Sequence, residues 1–270
     1  MMNFIPSTGC AAPAPGPTPA PATTSDDSVS ERLRLPLSLV KLIELLQNQP
    51  VLSPEIAREC VLAAGVQSEE LLPWADFDHA IADSYGRKLV YQQAQFEMMV
   101  MSWVPGDFSA IHDHGAMQWG AVQCFGAAEH YAYELEGDRL RTKASCPYTP
   151  GSVKAVEYDL IHQMGNAGMS PFLSLHVYGC NVPCQSITGN ARLFDLLEAS
   201  IQYTDGGVFF CLPEAQINQR QPGLHGDSET CWRHHQQMRD RIHRIATAGP
   251  LSPQLQTKLA QLNEQLAFGF

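Results

Sequence analysis

The stretch PGDFSAIHDHGAMQWG, residues 105–120, places His112 and His114 two residues apart, shortly after a Pro-Gly turn. In a strand, alternate side chains point to the same face, so both imidazoles share one face and Asp113 takes the other. Two rings about 7 Å apart, twice the rise per residue, can lean together onto one metal ion. The pair also suits the exposed face of a strand with no ligand, so a metal site requires further donors elsewhere.

A third histidine comes from YTPGSVKAVEYDLIHQMGN, residues 148–166, where another Pro-Gly turn leads into a strand that carries His162. Together the two stretches resemble the two motifs of the cupin family. The matching positions are Gly106, His112, His114 and Gly126 in the first motif and Pro150, Gly151, His162 and Asn166 in the second. The resemblance implies a mostly β fold, a cupin double-stranded β-barrel, whose metal ion is held inside by the three histidines.

The acidic ligand of the family's first motif is absent, because Trp119 occupies its position. Three neutral imidazoles suit a borderline divalent ion such as Fe(II), and an octahedral ion held by three residues keeps three positions open for chemistry. Zinc also accepts three histidines and a water, so the ligands by themselves leave the identity of the metal open. We expect Fe(II) on the strength of the resemblance described below.

A polar face is predicted on FLSLHVYG, residues 172–179, where Ser174, His176 and Tyr178 alternate along a strand. All three side chains then lie on one face, and the apolar residues between them lie on the other. A chain of hydrogen bonds from hydroxyl to imidazole to phenol would aim the Tyr178 O–H at a bound ligand. A polar ladder exposed to solvent is the alternative interpretation.

A Ser-x-His-x-Tyr strand after a three-histidine cupin site resembles the thiol dioxygenases, cysteine dioxygenase in particular. SYGRKLV, residues 84–90, is similar to that family's Tyr-x-Arg-x-Leu-Val segment, and the likeness spans residues 84–184. It implies an iron enzyme that oxidises cysteine, or a cysteine-like amino-acid thiol, with O2 to the sulfinic acid. The residues implied in catalysis are Tyr178, His176 and Ser174, and those implied in substrate binding are Arg87, Tyr85 and Trp119.

Arg87 corresponds to the arginine that binds the substrate carboxylate in this family. A guanidinium suits that role because its fork makes two parallel charge-assisted hydrogen bonds to a carboxylate, a geometry that Lys88 cannot reproduce. Relatives that prefer 3-mercaptopropionate have glutamine at this position. In an ungapped alignment Trp119 stands where the animal enzymes have a cysteine linked to the active-site tyrosine, so we expect no crosslink at Tyr178.

Other functions fit parts of the pattern. The chain could oxidise another small thiol, such as a 3-mercaptopropionate-like compound or a precursor of a specialised metabolite, or the N-terminal cysteine of a protein. A carboxylate-binding arginine has no use on a peptide whose carboxyl is already an amide. A metal-dependent cupin isomerase or hydrolase would use the same histidines but would gain nothing from the Arg87 and Tyr178 arrangement, and a non-catalytic cupin would need neither.

Composition excludes several classes of protein. The 270 residues are 44% hydrophobic, enough for one large domain with a buried core, and the net charge of −11 disfavours a nucleic-acid partner. No run of about 18 apolar residues is present, so we expect no membrane span. Eight cysteines at irregular spacings do not form a disulfide pattern, which favours a reducing compartment and a cytoplasmic location.

The chain divides into four predicted parts. Residues 1–30 are a disordered Pro/Ala-rich leader, residues 31–83 a helical cap, residues 84–185 the barrel, and residues 186–270 a helical C-terminal extension. Helices are predicted in the extension over residues 191–202, 228–249 and 252–268. In the last of these helices, an apolar stripe is either core or the contact of a homo-oligomer; it consists of Leu255, Leu259, Leu262 and Leu266.

The remaining histidines receive no functional role from the sequence. His234 and His235 are predicted on a solvated face of a C-terminal helix, and His130 stands apart from the motifs.

Overall fold

The computed structural model describes residues 35–182 and 186–268, so the predicted leader at residues 1–30 lies outside the described residues. The helices are α1 (Leu37–Gln47), α2 (Pro54–Ala64), α3 (Ser228–Ala248) and α4 (Pro253–Phe268), with 3₁₀ turns at Ser68–Trp74 and Glu214–Gln216. The strands are β1 (Gly86–Gln92), β2 (Phe96–Trp103), β3 (Trp119–Cys124), β4 (Glu129–Glu136), β5 (Arg139–Ser145), β6 (Val153–Val156), β7 (Ile161–Gly165), β8 (Phe172–Gly179), β9 (Ala191–Asp195), β10 (Ser200–Thr204), β11 (Gln219–Pro222) and β12 (His225–Gly226).

Two sheets form the body of the protein. The first has the strand order β1-β2-β8-β3-β6. The second joins the group β12-β5-β4-β7 to the group β11-β10-β9 through His112, which pairs with His162 of β7 on one side and with Leu193 of β9 on the other. The first histidine motif therefore completes the second sheet.

The inner faces of the two sheets enclose one apolar core. Met99, Val122 and Tyr178 from the first sheet are packed in the same cluster as Met164 and Leu193 from the second. Every residue of β2, β3 and β8 is buried, because one face of each strand lies in this core and the other is covered. The expected mostly β double-stranded barrel, with helices at both ends, is confirmed.

The N-terminal helices cover the outer face of the first sheet. Helix α2 starts with the Ser53 side chain accepting from the Ile56 N–H and ends at Gly65, whose φ of 71° is left-handed. Side-chain bonds fix it to the sheet: Arg58 Nε donates to the Val153 carbonyl at 3.2 Å, and Gln123 Nε2 donates to the Val66 carbonyl at 3.2 Å. Both helices lie within the segment predicted as a helical cap.

The helix predicted over residues 191–202 is wrong, because this segment forms the β9-β10 hairpin. Its apolar residues do follow helical spacing, but the chain reverses between the strands. The Asp195 carboxylate accepts the N–H groups of Leu197 and Glu198, each at 3.0 Å, and Ala199 takes a φ of 48°. Local side-chain bonding and strand pairing therefore override the helical pattern.

The end of the chain packs on the barrel through a buried ionic cluster. Asp107, fully buried in the turn before His112, accepts from Arg244 Nη1 at 2.9 Å and lies 3.5 Å from Nη1 of the buried Arg241. Both arginines belong to α3, so this helix is tied to the turn that leads into the first motif. A buried carboxylate held in this way fixes orientation more than it adds stability.

Three of the four leucines in the apolar stripe of α4 face the core of their own chain. Leu262 is fully buried, and Leu255 and Leu259 pack against the inner core cluster. His234 and His235 are buried as well, so their predicted solvated position is wrong: α3 turns this face toward the hairpin. Among the described helices, none combines the length and apolarity that crossing a lipid bilayer requires.

Candidate metal centre

Three histidines converge inside the barrel. His112, His114 and His162 are all buried, and one ring nitrogen from each lies within 4.8 Å of the others. The Nε2 atoms of His114 and His162 are 3.1 Å apart. Two nitrogens bound to one ion at about 2.1 Å, in tetrahedral or octahedral geometry, lie about 3.0–3.4 Å apart. The spacing therefore matches neighbouring ligands of a single ion.

The backbone around the first motif explains this convergence. His112 exchanges two backbone hydrogen bonds with His162, at 2.9 and 2.8 Å, which brings motifs 48 or more residues apart side by side. Directly after His114 the chain turns at Gly115, whose φ is 60° and whose Cβ, if present, would lie 2.1 Å from the Gly189 carbonyl. Only glycine fits this turn. Because the chain turns directly after His114, the His-x-His segment is a short extended stretch and not a full strand.

Hydrogen-bond partners occupy one ring nitrogen of His112 and of His162, whereas Nδ1 of His114 is buried without a partner among the described residues. The Nδ1–H of His112 donates to the Ala110 carbonyl at 2.8 Å, and Nδ1 of His162 lies 3.0 Å from Nε2 of His130. The Nε2 lone pair of His112 is thereby left to face the cluster. Such a partner on the second nitrogen is usual for metal-binding histidines.

Burial keeps these rings neutral. Removal from water lowers the pKa of His112 to about 4 and holds the pKa values of His114 and His162 well below the usual range. A neutral imidazole has a free lone pair, which a metal ligand needs. The donor set thus fits a divalent ion of the zinc or Fe(II) type, and no described carboxylate joins the cluster.

The loop that carries the motif is fixed from outside by the C-terminal hairpin. Asp113, which faces away from the histidines, accepts from Arg192 Nε at 2.5 Å and from the Arg192 backbone N–H at 2.8 Å. The same carboxylate accepts the Gly115 N–H at 3.1 Å. The sequence places Asp113 on the opposite face from its neighbours, and the structure shows what it does there.

The polar face predicted on β8 forms a continuous chain of hydrogen bonds. The Trp103 indole N–H, which can only donate, donates to Ser174 Oγ at 2.8 Å. Ser174 Oγ lies 2.8 Å from His176 Nε2, and His176 Nδ1 lies 2.7 Å from the Tyr178 hydroxyl. These side chains point into the barrel, not to solvent, because Trp103, Ser174, His176 and Tyr178 are all buried.

The order of donors in this chain follows from its first member. Ser174 accepts from the tryptophan, so its own hydrogen satisfies His176 Nε2, the remaining acceptor that it contacts among the described residues. His176 then carries its proton on Nδ1 and donates to the Tyr178 oxygen. The phenol O–H is left free to donate elsewhere. Burial also raises the pKa of Tyr178 well above its usual value, so the phenol stays protonated.

A small cavity of about 30 Å³ connects these groups. Its walls include two of the histidines, the phenol and the side chains predicted to bind substrate: His112, His114, Tyr178, Tyr85 and Arg87. The Tyr178 ring centroid is 4.9 Å from that of His114. A ligand in the cavity can therefore touch the metal position and the phenol together.

Arg87 enters this cavity without a counter-ion. It is half-buried on β1, and within residues 35–182 and 186–268 no carboxylate lies at ion-pair distance from it. Its neighbour Lys88 points the other way and pairs with Asp76 at 3.0 Å. Tyr85 supports the same wall, since its buried ring stacks on Trp103 with centroids 4.6 Å apart.

No protein-family model matches the chain. Its barrel is similar to solved structures: a double-stranded β-helix protein from Klebsiella pneumoniae (18% identity, 37% of this chain and 75% of that chain, TM-score 0.31), an RmlC-like cupin from Desulfovibrio desulfuricans (18%, 42% and 96%, 0.32) and a sugar phosphate isomerase of the cupin superfamily from Silicibacter pomeroyi (18%, 52% and 80%, 0.33). The fold described above rests on this chain's own strand pairing.

The predicted place of Trp119 in the substrate pocket is wrong. In the register of β3 and β8, Gly120 is opposite Tyr178 and Trp119 is opposite Gly179. Cross-strand partners share a face, so Gly120 faces the cavity and Trp119 lies on the outer face, fully buried against Gly179. The position that faces the phenol is therefore 120 and not 119.

Glycine opposite the phenol leaves no group for a crosslink. We expect the mass of the Tyr178 peptide to stay unchanged after repeated turnover, as measured by mass spectrometry of a proteolytic digest. Cys124 lies on β3, the strand next to that of Tyr178, and faces the same inner side. It is opposite Ser174, two inward-facing positions along β8 from Tyr178, and its Sγ donates to the Gly126 carbonyl at 3.3 Å. A thioether between Tyr178 and Cys124 would contradict this register.

Sequence reasoning missed several residues of the site. His130, given no role, bonds to His162. Glu97 lies buried opposite Tyr178 on the inner face of β2 and accepts from the Thr188 hydroxyl at 2.9 Å. Thr188, Ala191, Gly206 and Val208, all from the segment predicted as helical, line the cavity. Only Glu97 carried a signal: a lone charge inside the apolar run FEMMVMSW.

Proposed function

We propose that this protein is an Fe(II)-dependent thiol dioxygenase that oxidises cysteine, or a cysteine-like amino-acid thiol, to its sulfinic acid. One observation carries the proposal: two rings of the three-histidine cluster, a phenol with a free O–H and a guanidinium without a counter-ion border the same cavity. Each of these groups has a separate use in the reaction.

The reaction is RSH + O2 → RSO2H. The O–O bond breaks, two S–O bonds form, and the thiol proton ends on the sulfinic acid or in solvent. Sulfur loses the four electrons that O2 gains, and iron held by His112, His114 and His162 would favour the thiolate form of the substrate and mediate this transfer. Burial of the three rings excludes competing water from their side of the site.

Arg87 binds the substrate carboxylate in this proposal. Two parallel N–H···O bonds hold the carboxylate and fix the distance from the guanidinium to the sulfur, so the thiol reaches the metal position in one orientation. Since Arg87 has no described counter-ion, a ligand carboxylate does not have to displace one. Tyr85, stacked on Trp103, keeps this end of the cavity rigid.

Tyr178 donates a hydrogen bond to the ligand. The chain through Ser174 and His176 fixes the ring and supplies a donor to its oxygen, so the phenol hydrogen points away from that chain. A hydrogen bond aimed at a developing negative charge in a dry site is worth more than the same bond in water. The raised pKa keeps the hydrogen in place across the physiological range.

Oxygen uptake across a panel of thiols tests the proposal. Protein purified without oxygen and loaded with Fe(II) should consume O2 in equal amount to cysteine and give a product heavier by two oxygen atoms. Isotopically heavy O2 should place both labels on sulfur. Cysteamine and 3-mercaptopropionate, each lacking one polar group of cysteine, should be oxidised more slowly. Absence of O2 uptake with every thiol in the iron-loaded protein would refute the activity.

A further inference from the structure

His130 lies on β4, behind His162, and is not among the residues that line the cavity. Its ring is buried between β7 and Tyr148, with which it stacks at a centroid distance of 4.6 Å and an interplanar angle of 19°. Its Nε2 is 3.0 Å from Nδ1 of His162. The antiparallel pairing of β4 with β7, in which Ala132 is opposite His162, holds the two rings in this position.

The direction of this bond follows from what His162 offers to the cluster. Its Nε2 faces the Nε2 of His114 at 3.1 Å, so that nitrogen must carry the lone pair when an ion is bound. A neutral imidazole has one N–H, which then sits on Nδ1 and needs an acceptor. The acceptor in reach is Nε2 of His130, so His130 carries its own hydrogen on Nδ1, an atom that is buried without a hydrogen-bond partner.

We propose that His130 is a positioning residue for the metal centre, which accepts the Nδ1–H of His162 and thereby fixes the tautomer that presents Nε2 to the ion. The inference rests on the metal-binding part of the proposed function and not on the identity of the substrate.

The choice of acceptor has a chemical consequence. Ligand histidines often donate to a carboxylate, which adds negative charge beside the ion. A ring that accepts through Nε2 and carries its hydrogen on Nδ1 is a neutral imidazole, and this Nδ1 is buried beside no described carboxylate that could pair with it. A site oriented by a neutral group keeps the full positive charge of the ion available to anionic ligands, which a thiolate with a carboxylate would be.

Two substitutions separate positioning from packing. His130→Phe keeps a flat ring to stack on Tyr148 but has no acceptor, and His130→Gln loses the ring but keeps an acceptor on a side chain of similar reach. His243→Phe, on an exposed position of α3, is the control for loss of a histidine. The probe is Co(II), titrated into metal-free protein, with its visible absorption spectrum recorded; thermal melting of the metal-free variants reports packing separately.

We expect His130→Phe to weaken Co(II) binding by about 10- to 100-fold and to shift the absorption bands, the usual cost of losing a partner of a metal ligand. His130→Gln should recover most of the affinity although its metal-free form melts lower, and His243→Phe should bind like wild type. Equal Co(II) affinity and spectra for wild type and His130→Phe would overturn the inference. So would losses of Co(II) affinity in His130→Phe and His130→Gln that are proportional to the drop in each variant's melting temperature. Should His130→Phe not fold, His130→Leu replaces it. Wild-type protein that binds no Co(II) would refute the metal centre itself.

Discussion

His162→Ala should lose metal binding altogether, and His112→Ala and His114→Ala should do the same. Three nitrogens whose atoms lie within 4.8 Å of one another are the whole protein contribution to the site among the described residues, so each substitution removes a third of the ligands. The loss should exceed the 10- to 100-fold typical of residues behind the ligands, reaching more than about 100-fold in the Kd for Co(II). Iron content after anaerobic loading and desalting measures the same effect directly.

The control for these variants is His243→Ala, which removes an exposed histidine from α3. Circular dichroism and thermal melting show whether the barrel still folds, since each alanine also leaves a small cavity. Full iron content in two of the three variants would refute the cluster as the binding site. If an alanine variant loses both its iron and its folded circular dichroism spectrum, the matching His→Gln variant, whose side chain fills the cavity that alanine leaves, replaces it. Iron retained by folded His→Gln variants would count equally against the cluster.

The barrel itself was predictable because its signals are local. These local signals are the Pro-Gly turns, the alternating polar residues of β8 and the two histidine stretches. Each lies in the structure where its sequence pattern predicts. The stretch FLSLHVYG shows this well: period-two alternation alone placed Ser174, His176 and Tyr178 on one face, and their hydrogen bonds run along it.

Register across strands was not predictable. A shift of one residue in the pairing of β3 with β8 changes which side chain faces Tyr178, because it moves every side chain of β3 to the other face. An ungapped comparison put Trp119 in the cavity, where Gly120 belongs. The sequence of residues 115–118 does not reveal at which residue β3 begins to pair with β8.

The C-terminal hairpin was missed for a different reason. ARLFDLLEASIQ has apolar residues at helical spacing, yet its partners are far away in sequence: His112 for Leu193, and Asp113 for Arg192. Tertiary pairing overrides weak local preference in such segments. His130 was missed likewise, since a single histidine in a strand carries no periodic signal, and its role depends on the pairing of β4 with β7.

Arg87→Ala should lower kcat/KM for cysteine by about 10- to 150-fold and should barely change the value for cysteamine. The range corresponds to about 1.5–3 kcal/mol, the usual worth of hydrogen bonds to a charged group. Cysteamine has the thiol and the amine of cysteine but lacks the carboxylate, so it isolates this one contact. The loss should appear mainly in KM, because the guanidinium lies at the wall of the cavity and binds the carboxylate before and during the reaction alike.

Two neighbouring variants sharpen this test. Arg87→Lys keeps the charge but loses the bidentate fork, so it should recover only part of the loss. Lys88→Ala removes the adjacent positive charge, which pairs with Asp76 at 3.0 Å on the far side of β1, and should leave cysteine oxidation unchanged. If Arg87→Ala slowed cysteine and cysteamine equally, or if wild-type protein oxidised both equally well, Arg87 would serve only the structure of β1. The substrate would then have to be a thiol without a carboxylate, held by the metal and Tyr178 alone.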